Sequence, residues 1–330
     1  MDLRGCRIAG VGSYVPEEVL TNADLEKIVD TSDEWIVSHT GIRERRVIPD
    51  DQNTSDLAAE ASRRALDDAG VQADQVQLII AATVTSDTVF PGTSAILEHK
   101  LGAKRAATFD LVTGCTGFVD GIVTGAQFIQ TGAYDRVLVV AAEALTRITN
   151  WTDRSTCVLF GDGAGAAVLE PTDPGAGLLG YAMDTQGFAG EHLCIPSSGS
   201  AWPPDEKAIA EHATKLYMNG HEIFKMAVRG VPYIARKAMK NAGITEEDVD
   251  WVVMHQANQR ILDAAADRLH IAPEKVISNL ERYGNTSAAS MGIALDELYR
   301  DGRLQNGQHV LMVGFGAGFC LAGAVIRWDK

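Results

Sequence analysis

The chain repeats itself at long range. Ala65-Leu66-Asp67-Asp68-Ala69-Gly70-Val71 is echoed by Ala238-Met239-Lys240-Asn241-Ala242-Gly243-Ile244. Val76-Gln77-Leu78-Ile79-Ile80 is echoed by Val249-Asp250-Trp251-Val252-Val253, and both echoes keep one offset of 173 residues. Phe160-Gly161-Asp162-Gly163 returns as Phe315-Gly316-Ala317-Gly318, each time ahead of a small-residue apolar run. A repeat that carries a helical pattern, a glycine stop and a strand pattern together restricts the fold to a duplicated α/β unit. The segment 171–213 is richest in Pro, Gly and Ser and has weak periodicity, so the boundary falls near its start. The halves are then 1–172 and 173–330. Alternating helices and apolar strands predict a mostly parallel central sheet in each half. Two copies packed together bring equivalent loops to a shared centre, where sites commonly form.

The most informative stretch in the first half is Thr108-Phe109-Asp110-Leu111-Val112-Thr113-Gly114-Cys115-Thr116-Gly117-Phe118. It reads as strand, glycine turn, cysteine and helix. Phe118, Val119, Ile122, Val123, Ala126, Phe128 and Ile129 cover most faces of that helix, which predicts burial. Gly117, Gly121 and Gly125 share one face and permit close approach of a neighbour. Cys115 then sits at the positive end of a buried helix, where the dipole favours a thiolate. Further strands are expected over 7–16, 76–84 and 134–141. Helices are expected over 55–69, with Gly70 as its stop, and over 94–101.

Composition narrows the function. The formal charge of −15 makes nucleic acid a poor partner and requires a local basic patch for any acidic protein partner. No run of about 18 apolar residues suggests a membrane span. The opening Met1-Asp2-Leu3-Arg4-Gly5-Cys6 lacks a signal-peptide pattern. Five scattered cysteines without a C-x-x-C argue for a reducing cytoplasm and against a disulfide framework or a zinc site.

Two more loops carry chemistry. His255-Gln256-Ala257-Asn258 follows the apolar run Trp251-Val252-Val253-Met254, at a strand's carboxyl end, where α/β sheets bind ligands. Arg282-Tyr283-Gly284-Asn285-Thr286-Ser287-Ala288-Ala289-Ser290 is a polar turn before a small-residue helix. A buried inert cysteine, a structural histidine and a turn asparagine are the plain readings of these residues. Together they also suit one reaction. A thiolate takes an acyl group from a thioester, and decarboxylation of a β-carboxy thioester leaves an enolate that His255 and Asn285 stabilise as an oxyanion hole. The backbone N–H groups of Cys115 and Ala317 form a second hole for the tetrahedral oxygen.

These residues match a family. Thr31-Ser32-Asp33-Glu34-Trp35-Ile36, Thr40-Gly41-Ile42-Arg43-Glu44-Arg45, the Cys115 turn, Phe160-Gly161-Asp162-Gly163-Ala164-Gly165, His255-Gln256-Ala257-Asn258 and Tyr283-Gly284-Asn285-Thr286-Ser287-Ala288-Ala289 stand in the family's order. The chain resembles β-ketoacyl-acyl carrier protein synthase III of the thiolase superfamily over nearly its full length. Asn285 separates it from elongating condensing enzymes, which look like Cys-His-His, and from thiolases and hydroxymethylglutaryl-CoA synthases.

The resemblance implies a thiolase-like, duplicated, five-layered αβαβα fold with mixed, mostly parallel sheets. The N-terminal half would carry the nucleophile, and the C-terminal half the His and Asn. It implies a cytoplasmic homodimer that needs no cofactor or metal. The partners are acyl-CoA, which acylates Cys115, and malonyl-acyl carrier protein, which then condenses to 3-oxoacyl-acyl carrier protein. A related condensing or acyl-transferring enzyme of specialised, polyketide-type metabolism is the alternative. By position, Trp35, Arg43, Arg154, Asn258, Gly220 and Phe224 resemble substrate contacts. Phe90 resembles the residue that a partner subunit inserts at the acyl pocket. Lys225, Arg260 and Arg268 resemble carrier-protein contacts. This chain departs from the family at His39, where many members carry Arg, at Ala317, where Gly is common, and at Asp267, which reverses half of a basic pair.

Overall fold

The computed structural model describes residues 3–330; Met1 and Asp2, part of the opening read as lacking a signal, lie outside the described residues. Ten strands form one sheet system: β1 (Gly5–Tyr14), β2 (Leu78–Ala82), β3 (Ala107–Leu111), β4 (Val137–Ala144), β5 (Asp162–Thr172), β6 (Gly177–Thr185), β7 (Trp251–Met254), β8 (Val276–Ile277), β9 (His309–Gly316) and β10 (Cys320–Arg327). Their order is β8-β7-β9-β10-β6-β1-β5-β4-β2-β3. In the first half β1–β5 and β5–β4 are antiparallel, and β4–β2 and β2–β3 parallel. In the second half β6–β10 and β10–β9 are antiparallel, and β9–β7 and β7–β8 parallel. The two sets of five are the same pattern and meet through one parallel pair, Cys6 opposite Gly177.

The echo seen in the sequence is a structural one. Gly70 and Gly243 both end helices in the left-handed region, at φ 67° and 74°. A short 3-10 turn follows each, Ala73–Gln75 and Glu246–Asp248, again 173 residues apart. Glycine reaches that conformation without a Cβ clash, which is why it closes both helices.

Five layers result. Helices α1 (Thr54–Ala69) and α2 (Thr93–Leu101) cover one outer face of the first sheet. Helices α3 (Gly117–Gln130) and α4 (Ala289–Arg300) lie between the sheets, in a core that draws on both halves. Helices α5 (Gly220–Ala242) and α6 (Gln259–Leu269) cover the far face. Helix α3 is buried as its composition predicts. Its glycine face meets strand side chains rather than a second backbone: a Cβ at Gly117, Gly121 or Gly125 would stand 2.7 Å from Ala82, 2.6 Å from Val139 and 2.8 Å from Leu169.

The segment with weak periodicity holds a strand that sequence patterning missed. β6 lies mid-sheet; its burial alternates from Leu178 to Thr185, but Gly180 and Ala182 point inward while Tyr181 and Met183 are exposed, so hydropathy shows no period. Among the described residues no helix is long and apolar enough to cross a membrane, and no cluster of His, Cys, Asp and Glu is arranged to hold a metal.

Candidate active site

The three loops converge. Cys115, His255 and Asn285 line one cavity of about 510 Å3, together with Trp35 and His39, the apolar side chains of Val84, Leu145, Ile148, Leu159 and Phe224, and the Gly316-Ala317 turn.

Cys115 sits in the turn Gly114–Thr116 that opens α3. Gly114 has φ 57°, and a side chain there would start 3.0 Å from the Ala317 nitrogen. A Cβ on Gly316 would start 2.5 Å from the Cys115 nitrogen. The two turns therefore press backbone against backbone, which puts the Cys115 and Ala317 amides side by side. Ala317 itself stays outside the left-handed region, which Gly318 and Phe319 take at φ 71° and 46°, so alanine fits where glycine is common. Under the turn, Thr116 Oγ1 donates to Asp120 at 2.6 Å.

The expectation of a thiol poised toward thiolate needs correction. Burial pushes the Cys115 thiol up to about 12; the Ser287 hydroxyl pulls the other way, and the Glu143 charge adds to the rise. The helix end favours the anion, but the sulfur is removed from water, and desolvation acts against the charged form.

His255 extends β7: its N–H donates to the Val313 carbonyl at 2.9 Å, and its ring meets Phe315 edge-on at 5.3 Å. Burial pushes the imidazole down to about 3, against a backbone hydrogen bond at Ser287. The ring is therefore neutral, and its tautomer turns on Ser290. Ser290 Oγ lies 2.9 Å from Nδ1 and 2.8 Å from the Ser287 carbonyl, with one proton to give. When that proton goes to the carbonyl, Nδ1–H donates to Oγ and Nε2 is bare. When it goes to Nδ1, Nε2 carries the hydrogen.

Asn285 is pinned at three points. Its N–H donates to the Leu159 carbonyl at 2.8 Å, its carbonyl accepts from Gly161 at 3.1 Å, and its Oδ1 accepts from the Ser287 N–H at 2.9 Å. With Oδ1 occupied, the side-chain amide is left with Nδ2 as a donor. Gly284, at φ 63°, is required because a Cβ would start 2.7 Å from the Leu159 oxygen.

The other expected residues divide. Trp35, Asn258, Gly220 and Phe224 line the cavity. Asn258 Nδ2 donates to the His39 carbonyl at 2.9 Å, and its Oδ1 caps α6. His39 stacks on Trp35 at 4.4 Å, while the Arg154 guanidinium lies 4.7 Å from the same indole. That spacing leaves no room for a further ring between Arg154 and Trp35. Arg43 does not line the cavity and pairs with Glu281 at 2.7 Å. Phe90 stands on an exposed loop, 83% accessible, and also lies off the cavity of its own chain. Arg260 sits over the Phe224 ring at 5.6 Å, near the mouth. Lys225 is 3.6 Å from Glu222 and faces a separate surface cleft. Arg268 lies near the end of α6, where its carbonyl accepts from Arg236. Sequence reasoning did not assign Ser287, Ser290 or Glu143, all buried at this centre. Glu143 left one signal, a carboxyl ending an otherwise apolar strand run.

Known proteins share this fold. Models described as 3-oxoacyl-[acyl-carrier-protein (ACP)] synthase III match residues 109–187, and its C-terminal counterpart matches 239–328. A β-ketoacyl-[acyl-carrier-protein] synthase III of Caldanaerobacter subterraneus subsp. tengcongensis is 49% identical over 323 residues, covering 98% of both chains. The crystal structure of 3-oxoacyl-[acyl-carrier-protein] synthase III from Aquifex aeolicus superposes with a TM-score of 0.91 at 40% identity, covering 98% of this chain and 100% of that one. The priming β-ketosynthase of the R1128 polyketide pathway gives 0.92 at 37%, covering 100% and 98%. The duplicated sheet, the shared cavity and identity over essentially the full length lead to one family: this chain is a 3-oxoacyl-[acyl-carrier-protein] synthase III, a condensing acyltransferase of thiolase-like fold.

Proposed function

We propose that the chain runs a two-stage condensation through an acyl-cysteine. In the first stage Cys115 attacks an acyl-CoA. The sulfur needs a base, and neutral His255 with Nε2 bare is suited to take its proton and pass it to the leaving CoA thiolate. The adjacent amides of Cys115 and Ala317 are the donors for the tetrahedral oxygen. In the second stage malonyl-acyl carrier protein loses CO2. The enolate oxygen is held by Asn285 Nδ2 and by His255 with the proton on Nε2, the tautomer that Ser290 makes by turning its hydroxyl. The carbanion then attacks the acyl-cysteine and releases the 3-oxoacyl product. The observation that carries this reading is the Ser287 N–H on Asn285 Oδ1, which fixes the amide orientation and keeps Nδ2 as its donor. The chemistry draws on side chains and thioesters, with no cofactor or metal.

Relatives of 49–50% identity over 98% of the chain are β-ketoacyl-[acyl-carrier-protein] synthases III, which favours initiation of fatty acid synthesis. Halves 1–172 and 173–330 supply the nucleophile and the donors respectively. The five free cysteines fit a reducing cytoplasm. Trp35 and Arg154 would hold the CoA nucleotide once one of the groups stacked on the indole yields. Lys225, Arg260 and Arg268, on α5 and α6, would be the contacts for an acidic carrier, and Phe224 a substrate contact.

The test times the two stages apart. Intact mass after acyl-CoA treatment should gain one acyl group, and Cys115→Ser should gain none. His255→Ala and Asn285→Ala should slow CO2 release from malonyl-acyl carrier protein by about a hundredfold or more, and more than they slow acylation. Trp35→Ala should slow only the first stage, and Lys225→Glu with Arg260→Glu only the second. Acylation that survives Cys115→Ser would sink the assignment.

A further inference from the structure

Arg45, the last residue of the run Thr40-Gly41-Ile42-Arg43-Glu44-Arg45, has no part in this scheme, yet it has no exposed surface. It sits in the short strand Glu44–Arg46, opposite Leu20. Its hydrogen-bond partners are all neutral. Nη1 donates to the Leu20 carbonyl at 3.1 Å and to Asn22 Oδ1 at 2.9 Å, and Nη2 donates to the Val158 carbonyl at 2.8 Å. Nε is buried and has no partner. A buried cation held only by neutral groups is costly. Burial pulls Arg45 down to about 10, which still leaves it charged near pH 7. Its planar fork joins three separate stretches: the strand Val19–Thr21, the helical turn Asn22–Leu25 and the segment that follows the turn Arg154–Cys157. A lysine ammonium is a point charge and does not span them in one plane.

The third stretch is a wall of the active site. Val158, Leu159 and Phe160 line the cavity beside Asn285. Phe160 and Asn285 form an isolated parallel bridge, closed by the Asn285 N–H on the Leu159 carbonyl and the Gly161 N–H on the Asn285 carbonyl. Arg45 therefore grips the carbonyl one peptide before the bridge begins. Its own Cβ packs under both arms of that bridge. A Cβ on Gly161 would start 3.0 Å from it, and a Cβ on Gly284 would start 3.3 Å from it. Next to Arg45, the Arg43 N–H donates to the Glu281 carbonyl at 3.0 Å, so the same stretch also supports the turn that leads to Asn285.

We propose that Arg45 is a positioning residue for Asn285 and acts through the segment 158–161. With the fork seated on the Val158 carbonyl, the bridge holds Asn285 at the height that aims Nδ2 at the enolate oxygen. With the fork unseated, the segment shifts and the donor moves with it. The inference rests on Asn285 holding that oxygen and names the group that aims it. The amides of Cys115 and Ala317 stand on other turns, pressed against each other rather than against this segment, so the first stage does not depend on Arg45.

The experiment measures acylation by acyl-CoA and CO2 release from malonyl-acyl carrier protein separately in the full chain, with Arg45→Lys placed in the native and in the Asn285→Ala background. Arg45→Lys keeps the charge and loses the fork. In the native background kcat for CO2 release should fall by about tenfold, while KM for the malonyl substrate and the acylation rate stay within about twofold. In the Asn285→Ala background the same substitution should slow CO2 release by less than about twofold further, since the group it aims is gone. Asn22→Ala removes one seat of the fork and should show the same pattern at about threefold; it carries the test where Arg45→Lys does not fold. A cation that only holds the fold together would slow both stages alike, and its effect would multiply with that of Asn285→Ala. Either result overturns the proposal, as does unchanged CO2 release in Arg45→Lys, and each leaves the role of Asn285 standing. Unchanged CO2 release in Asn285→Ala alone would end that role and this inference with it.

Discussion

Burial acts in opposite senses on the two partners of the proposed first proton transfer, pushing Cys115 up to about 12 and His255 down to about 3, so both are neutral near pH 7. A thiol and an imidazole so matched exchange a proton only when acyl transfer follows, which keeps the resting sulfur quiet. Two outcomes are expected. His255 stays unprotonated until the pH falls close to about 3, so any loss of acylation between about pH 5 and pH 7 should persist unchanged in shape when His255 is replaced by Gln. Ser290→Ala removes the hydroxyl that lets Nε2 serve with and without its hydrogen, and both stages should slow by about tenfold to a hundredfold, read by acylation and CO2 release separately. Slowing of neither stage would show that the ring holds its tautomers without Ser290. At this scale Cys115, His255 and Asn285 were legible because each follows a strand or turn that the pattern marks. Ser290 and Glu143 were not, since what they do depends on a rotamer and on the burial of a strand end, neither of which has a sequence period.

The glycines around the nucleophile do their work as elements rather than as residues. Gly316 ends β9 where a side chain would start 2.5 Å from the Cys115 nitrogen, and the obstacle is backbone, which cannot swing aside. Gly316→Ala should therefore move the turn more than it unfolds the chain. Acylation is expected to fall by about a hundredfold while the melting temperature drops by only a few degrees, checked by mass gain and thermal unfolding on one preparation. Full acylation in that variant would mean that the two turns are not held in register by this contact. Helix α1, with its Gly70 stop, and helix α3 were legible from apolar spacing. β4 was placed by pattern at 134–141 and runs Val137–Ala144. The shift puts Glu143 inside the strand, and its cause is that the apolar run carries straight through a buried carboxyl.

Seen whole, the sheet system ends on β3, whose outer edge is unpaired among the described residues, and the exposed apolar side chains Val89, Phe90 and Val112 lie in the loops around it. An open edge flanked by exposed apolar groups invites a second strand. A second copy of β3 would continue the sheet across a two-fold axis, which is one way for two copies to pair. Sedimentation should give a dimer, and Phe90→Asp with Val112→Lys should shift it to monomer; a monomer in the native chain would end that reading. The duplication was legible from the echoes, whereas the single Cys6–Gly177 seam was not, because one residue pair leaves no pattern. That seam has a practical consequence. Residues 173–175, between β5 and β6, are exposed, while α3 and α4 bury their faces in a core to which both halves contribute. Protease nicking there should sever the covalent thread without releasing either fragment, and the nicked pair should co-elute and still take up an acyl group. Two polypeptides expressed separately and cut at the same place should act only as a reconstituted complex, each fragment useless until it finds the other.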